Sequence, residues 1–330
     1  MTVQTSDTAR SQPEFAVEIS HLRKVYGRGV NVPGDTGQTV AALKDLSLNV
    51  PRGSFFALLG PNGAGKSTLI NILSGLVIKS SGEARVWGHD IDRDMRAARL
   101  ALGVGPQELN LDPFFTPREL LEVQAGLFGV PVSRRRSDEI LAAVGLADKA
   151  NAYARSLSGG MRRRMLVAKA MVHSPPVLIL DEPTAGFDVE LRRQLWVTMR
   201  DLNARGTTIL LTTHYLEEAQ ALCDRVAIIN HGELVACDDT SALLARLDSK
   251  EMLITVDRDI AQVPAALEPF RTEFLSPRQV SVSFPPSQAH SGQIITAMQD
   301  AGYVITNLTT KEAALEDVFL RLTGRRLREG

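Results

Sequence analysis

The chain has 330 residues, 44% of them apolar, and 37 basic against 38 acidic side chains give a net charge of −1. That balance argues against a dedicated nucleic-acid binder, which draws affinity from a surplus of Lys and Arg. Cys223 and Cys237 have no C-x-x-C spacing, so neither a disulfide framework nor a thiolate metal site is expected.

Length and apolar content predict two domains with substantial cores. No run approaches the ~18 apolar residues of a membrane span, so any membrane work is expected to go through another chain. Residues 1–14 are polar and predict a disordered leader without a signal peptide's apolar segment. Apolar positions over 15–19 and 22–27 predict a β-rich start ending near Tyr26, an aromatic that either stacks on a base or packs locally. Residues 28–38, rich in Gly, Pro, Asn and Asp, read as a loop. Alternation resumes over 40–50, Pro51-Arg52-Gly53 turns the chain, and the apolar run 55–59 predicts a buried strand.

That strand feeds Gly60-Pro61-Asn62-Gly63-Ala64-Gly65-Lys66-Ser67-Thr68, and helical spacing follows at Leu69, Ile70, Ile72 and Leu73. Strand, glycine-rich turn and helix are the context of a P-loop, where backbone N–H groups and the helix dipole hold phosphate. Glycines let the backbone curl close to the anion, where a Cβ would obstruct it. Lys66 would reach the β- and γ-phosphates, and the Ser67 hydroxyl would be a ligand for Mg²⁺. The chain is therefore expected to bind a nucleoside triphosphate.

A turn at 80–83 and a short strand over 84–88 come next, and residues 103–107 read as a strand end running into a loop. Gln107 is placed either with its amide oxygen near Mg²⁺ and attacking water or as a solvated loop residue. Thr116, Pro117 and Glu119 give the capping box of a helix reaching about 126, with Phe114 and Phe115 ahead of it expected in the core in preference to a partner-docking patch. Arg134, Arg135 and Arg136 read as a solvated helix face. Leu157-Ser158-Gly159-Gly160-Met161 enters a helix over 162–172 and reads as a second anion cradle or as ordinary N-cap chemistry, with Arg162, Arg163 and Arg164 read as a solvated basic face in preference to groups that steer phosphate.

The apolar run Val177-Leu178-Ile179-Leu180 predicts a central parallel strand that ends in Asp181-Glu182-Pro183-Thr184. Carboxylates at the carboxyl edge of such a sheet sit where open α/β folds bind ligands. Asp181 would hold Mg²⁺, and Glu182 would take the proton of the attacking water. Asp188 lies in the loop before the next helix. Residues 207–213 form another strand, and His214 at its tip is a donor to the γ-phosphate or a structural histidine. A helix over 216–223 and a hairpin around His231-Gly232 follow. Beyond about 248, period-two strands at 252–256 and 280–284 and helical spacings around 294–298 and 315–322, ending at Gly324, predict a small α+β domain.

In this order the motifs resemble the ATP-binding subunit of ABC transporters, over roughly residues 15–245. Gly60 to Thr68 match Walker A, Gln107 the Q-loop, and Leu157 to Met161 the signature. Val177 to Glu182 match Walker B with its catalytic glutamate, while Asp188 matches the D-loop, His214 the H-loop and Tyr26 the A-loop aromatic. Met161 stands where many members have Gln, and Phe187 where Leu is common; neither removes a phosphate or metal ligand. The ending Leu315-Glu316-Asp317-Val318-Phe319-Leu320-Arg321-Leu322-Thr323-Gly324 looks like that of ABC-2-type exporter ATPases, the drug-resistance, nodulation and YadG-like members.

The resemblance implies an α/β P-loop NTPase cassette over 15–245, with a helical subdomain and an N-terminal antiparallel β part. An accessory α+β domain over 246–324 and a polar tail over 325–330 complete the expected organisation. It also implies a Mg²⁺-dependent ATPase working as a head-to-tail homodimer. In it the P-loop of one subunit faces Ser158, Gly159 and Gly160 of the other across ATP. Such a subunit drives a separate integral membrane permease and lies at the cytoplasmic face of the inner membrane through it. Two other functions are compatible with a single cassette: an importer ATPase with a regulatory C-terminal domain, and an ABC switch acting on ribosome or DNA. The exporter-like ending argues against the first. The lack of a second cassette or a coiled-coil insertion argues against the second.

Overall fold

The computed structural model describes residues 12–27, 39–107, 110–312 and 314–324. Most of the expected leader, the loop over 28–38 and the tail over 325–330 lie outside the described residues. The rest form two compact units, one running to Asp238 and the other spanning Asp239–Gly324.

The first unit opens with β1 (Phe15–Tyr26), β2 (Val40–Pro51), β3 (Phe55–Leu59), α1 (Lys66–Leu73), β4 (Ser81–Val86), β5 (His89–Asp90), α2 (Met95–Leu100) and β6 (Leu102–Gly105). It continues through α3 (Pro117–Leu127), α4 (Ser137–Ala143), α5 (Gly159–Met171) and β7 (Val177–Asp181). Then come α6 (Val189–Ala204), β8 (Thr208–Thr212), α7 (Leu216–Leu222), β9 (Arg225–Asn230) and β10 (Glu233–Asp239). An antiparallel sheet of order β2-β1-β4-β5 faces a second sheet of order β10-β9-β3-β8-β7-β6. In the second, β3 pairs in parallel with β8 and β9, and β7 with β6 and β8.

The two kinds of sheet follow from the two kinds of pattern. Every residue of β3, β7 and β8 is buried, as continuous apolar runs require when both faces of a parallel sheet are covered. β2 alternates and buries Leu46, Leu48 and Val50. Val17, Leu22 and Leu46 of the antiparallel sheet share one core with Phe56, Leu58, Ile179 and Leu210 of the parallel sheet and with Leu69 and Ile72 of α1.

A helical part is built from α3, α4 and α5, which contact one another pairwise. Thr116 caps α3 with the expected capping box and Pro117 in the first turn. Phe114 and Phe115, expected in the core, are instead 72% and 38% exposed. The Asp112 carboxylate accepts from the Phe114 N–H at 3.0 Å, and the capping box fixes the chain just beyond. That turn leaves the two rings outside α3, whose buried face is Leu120, Leu121 and Ala125.

The arginines also depart from expectation. Arg134 to Arg136 lie at the start of α4 rather than along a helix face. Arg134 and Arg136 are exposed, whereas half-buried Arg135 pairs with Glu122 at 2.8 Å and donates to the Val130 carbonyl. Arg164 is buried and donates to the carbonyls of Val144 at 3.0 Å and Gly145 at 2.8 Å, at the C-terminal end of α4. A cation there meets carbonyl acceptors and the negative end of the helix dipole, which compensates its burial.

The second unit comprises α8 (Thr240–Ala245), β11 (Lys250–Val256), β12 (Arg271–Ser276), β13 (Gln279–Phe284), α9 (Ser291–Asp300), β14 (Ile305–Glu312) and α10 (Leu315–Thr323). Its sheet has the order β12-β13-β11-β14, antiparallel at each pairing. Met252, Ile254, Val256, Val280 and Val282 pack with Ile294 and Met298 of α9. α10 packs with α8 and ends at Gly324 with φ 70°. No helix among the described residues is long and apolar enough to cross a membrane.

Candidate nucleotide-binding and catalytic site

Four segments converge at the carboxyl ends of neighbouring parallel strands. The P-loop follows β3, Gln107 follows β6, Asp181 and Glu182 end β7, and His214 follows β8. A cavity of about 570 Å³ lies there, lined by Tyr26, Asn62, Gly63, Ala64, Gly65, Lys66, Ser67, Thr68, Gln107, Asp181 and Glu182, with Val40 to Ala42, Lys44 and His231. Tyr26, the last residue of β1, is 42% exposed, with Lys24 Nζ 4.7 Å from its ring centroid.

Gly65 is the N-cap of α1 in the left-handed region, with φ 108° and no side-chain capping bond. The first-turn N–H donors of α1 are thus left to an anion. Two of the glycines are also excluded from carrying a side chain by neighbouring backbone. A Cβ on Gly60 would lie 2.3 Å from the Ile229 carbonyl of β9, and one on Gly65 2.6 Å from the Ala42 carbonyl of β2. Gly63, with φ 76°, sits in the left-handed region that glycine adopts without strain. Lys66 Nζ donates to the carbonyls of Gly60 at 2.6 Å and Pro61 at 3.1 Å. Desolvation lowers its pKa, opposed by the nearby charges of Glu182 and Asp181.

Glu182 is where the segments after β6 and β8 meet the end of β7. Its Oε2 accepts from Gln107 Nε2 at 3.1 Å and lies 3.4 Å from His214 Nδ1. Its N–H donates to the carbonyl and hydroxyl oxygens of Thr212 at 3.0 and 3.1 Å. Its backbone has φ 49°, a costly conformation for a side chain of this kind. Arg163 of α5 donates to the Glu182 carbonyl at 2.7 Å and to the Gln107 carbonyl at 3.3 Å. Asp181 is buried beside it, and the Thr212 hydroxyl donates to its carboxylate. Burial raises the Asp181 pKa above 3.8, partly offset by that hydrogen bond.

Among the described residues no cluster of three or more His, Cys, Asp or Glu side chains could hold a metal. The donors available are one buried carboxylate, the Ser67 hydroxyl and the Gln107 amide oxygen. This all-oxygen set suits Mg²⁺, which takes one or two carboxylates and completes its shell with water and substrate phosphates.

Seven expected residues lie outside the cavity lining: Gly60 and Pro61, whose carbonyls take Lys66 Nζ, His214 beside Glu182, and Ser158, Gly159, Gly160 and Asp188. Ser158 N-caps α5, accepting from the Met161 N–H at 3.3 Å, and with Gly159 it is exposed; Gly160 is half-buried. Asp188 is exposed and N-caps α6, accepting from the Leu191 N–H at 2.8 Å. Sequence reading missed Arg163, Thr212, His231 and Glu218. Thr212 is legible afterwards from register, since it pairs with Asp181 across β7 and β8. His231 and Gly232 both have positive φ, the two-residue hairpin turn that His-Gly permits. Glu218 of α7 is buried, accepting from the hydroxyls of Thr184 and, at 2.7 Å, Thr213.

A cradle of this form, with an acidic pair beside it, defines a nucleotide-binding and nucleotide-hydrolysing protein. The model of the ABC transporter family matches residues 43–185. Nod factor export ATP-binding protein I of Paraburkholderia xenovorans (strain LB400) is 39% identical over 321 residues, covering 96% of this chain and 100% of its own length. Linearmycin resistance ATP-binding protein LnrL of Bacillus subtilis (strain 168) is 34% identical over 321 residues, 95% of this chain and 100% of that protein. A solved dimer of an ATP-binding cassette in a post-hydrolysis state, with ADP and Pi, has 26% identity and a TM-score of 0.60. It covers 68% of this chain and 98% of the other. The chain belongs to the ABC transporter family, as an ATP-binding and ATP-hydrolysing subunit of the ABC-2-type exporter branch.

Proposed function

We propose that two copies of the chain close head to tail over two ATP molecules, and that this closure drives a separate integral membrane permease from its cytoplasmic face. Within each site Tyr26 stacks on the adenine, and the backbone from Gly60 to Thr68 with Lys66 holds the phosphates. Ser67, Gln107 and Asp181 would hold Mg²⁺, which would offset the negative charge of the phosphate oxygens. Glu182 takes a proton from the attacking water, and His214 and Gln107 orient its carboxylate. Ser158, Gly159 and Gly160 of the opposite copy complete the phosphate cradle, with Asp188 in the seam.

The single observation that carries this reading is the meeting of Gln107 and His214 at one carboxylate oxygen of Glu182, with Gln107 and Glu182 both lining the P-loop cavity. The exposure of Ser158 and Gly159 supports the two-copy arrangement, because a helix N-terminus outside its own chain's cavity is free to meet another's. Exposed Phe114 and Phe115, beyond Gln107 in the chain, suit a membrane partner's cytoplasmic segment. Residues 246–324 form an accessory domain of the subunit. The substrate is set by the permease.

Glu182→Gln tests the assignment. It is expected to bind ATP as the wild type does, hydrolyse it at least a hundredfold more slowly, and accumulate as a dimer with Mg²⁺ and ATP in light scattering. Wild-type turnover in that variant would end the role assigned to Glu182.

A further inference from the structure

We propose that Arg163 is a positioning residue that links the two nucleotide sites of the closed dimer, carrying the state of the cradle at the head of α5 to the Gln107–Glu182 pair of its own chain. The inference rests on the head-to-tail reading above, in which Ser158, Gly159 and Gly160 meet the opposite copy's nucleotide while Gln107 and Glu182 serve their own.

The connection is short and closed. Ser158 caps α5, and Arg163 follows five residues later on the same helix, about 7.5 Å along its axis. α5 buries Arg164, Met165, Leu166, Val167 and Ala168 in succession just beyond, so a displacement of its N-terminus is shared by the whole first half of the helix. The guanidinium donates to the Glu182 carbonyl at 2.7 Å and to the Gln107 carbonyl at 3.3 Å, while the side chains of those two residues meet each other at 3.1 Å. Backbone and side chain of both residues are thereby tied into one ring, and Arg163 is the member that leads out of it. A planar guanidinium reaches two acceptors at fixed spacing, which a lysine's point charge does not. Glu182 is also the residue with φ 49°, whose conformation persists only while its surroundings hold it.

Packing alone predicts something different from a link between sites. Were Arg163 only structural, its removal would lower stability and leave the shape of the ATP dependence intact. A link makes each site's hydrolysis depend on occupancy of the other, which appears as sigmoidal dependence on ATP.

The test measures ATP hydrolysis by the full chain against ATP concentration, with Glu182→Gln run alongside. Arg163→Leu is expected to lower kcat about tenfold or more, with little change in half-saturating ATP, and to turn a sigmoidal curve into a hyperbola. Arg163→Lys is expected to recover part of kcat. Arg162→Ala, whose guanidinium donates to the Arg155 carbonyl at 3.1 Å, is expected to keep the wild-type curve. Should the Leu variant not fold, Arg163→Gln replaces it with the same expectation. Unchanged kcat and curve shape in the Arg163 variants, with Glu182→Gln inactive, overturn the link and leave the catalytic reading standing. Wild-type turnover in Glu182→Gln overturns both.

Discussion

Asp181 is a carboxylate buried at the end of β7, where desolvation pushes its pKa above 3.8. Between that value and the raised one, the folded protein binds more protons at this site than the unfolded chain does. Its contribution to stability therefore falls as pH rises through that window. Asp181→Asn keeps the shape, removes the titration, and is expected to flatten that part of the pH dependence of urea unfolding. Equal slopes in the two proteins would assign the effect elsewhere. At this scale the sequence was most readable where chemistry demands a spacing, from Gly60 to Thr68 and from Asp181 to Glu182. It was least readable where a charged side chain folds back onto backbone. Nothing in Arg162-Arg163-Arg164 distinguishes the exposed-face reading from a guanidinium seated on carbonyls, because the acceptors at Gln107, Val144, Gly145 and Glu182 come from other segments. Phe114 and Phe115 erred the other way, since an aromatic pair says nothing about which side of a capped turn it occupies.

Among elements, α7 fastens two catalytic loops through one side chain. Glu218 takes hydrogen bonds from Thr184, in the loop after β7, and Thr213, in the loop after β8, and Arg192 of α6 stands 3.6 Å away. The Arg192 guanidinium also lies 4.4 Å from the Tyr215 ring, which packs on His214 with centroids 4.0 Å apart. Glu218→Ala would leave two hydroxyls without their acceptor and a half-buried cation without its counter-ion, at a cost of about 3 kcal/mol in urea unfolding. A loss below about 1 kcal/mol would show that water replaces the carboxylate there. Elements with continuous apolar runs or clean alternation, such as β3, β7, β8 and β13, were legible from pattern alone. β12 and β14 were not, because almost every residue whose burial is described in them is at least partly exposed, which erases the period-two signal. α2, α4 and α8 are too short for a helical period to stand out.

At the scale of the molecule, the exposed pair Phe114 and Phe115 separates hydrolysis from its use. Replacing both by Ser is expected to leave the isolated subunit's ATPase rate unchanged while reducing co-purification with its permease. A fall in the isolated rate would mean that the pair supports the helical part itself. The cassette's order of motifs was readable because each lies at the end of a strand or the start of a helix. The assembly entered only through the family resemblance, because half of each proposed site belongs to another copy.

The crossing beside the P-loop carries one more consequence. Ala42 of β2 lies against both Gly65 and Gly232, where an added Cβ would stand 2.6 and 2.7 Å from its carbonyl oxygen. Gly232 N–H donates to Ala64 O at 3.0 Å, and Lys44 N–H to Gly232 O at 3.0 Å. Three backbones are thus laced together by contacts made wholly within the chain. The donors for the anion are set in place by folding, so little ordering entropy remains to be lost on binding. Free and loaded forms should then superimpose at the cradle, leaving the rearrangements of the cycle to segments that this lacing does not reach.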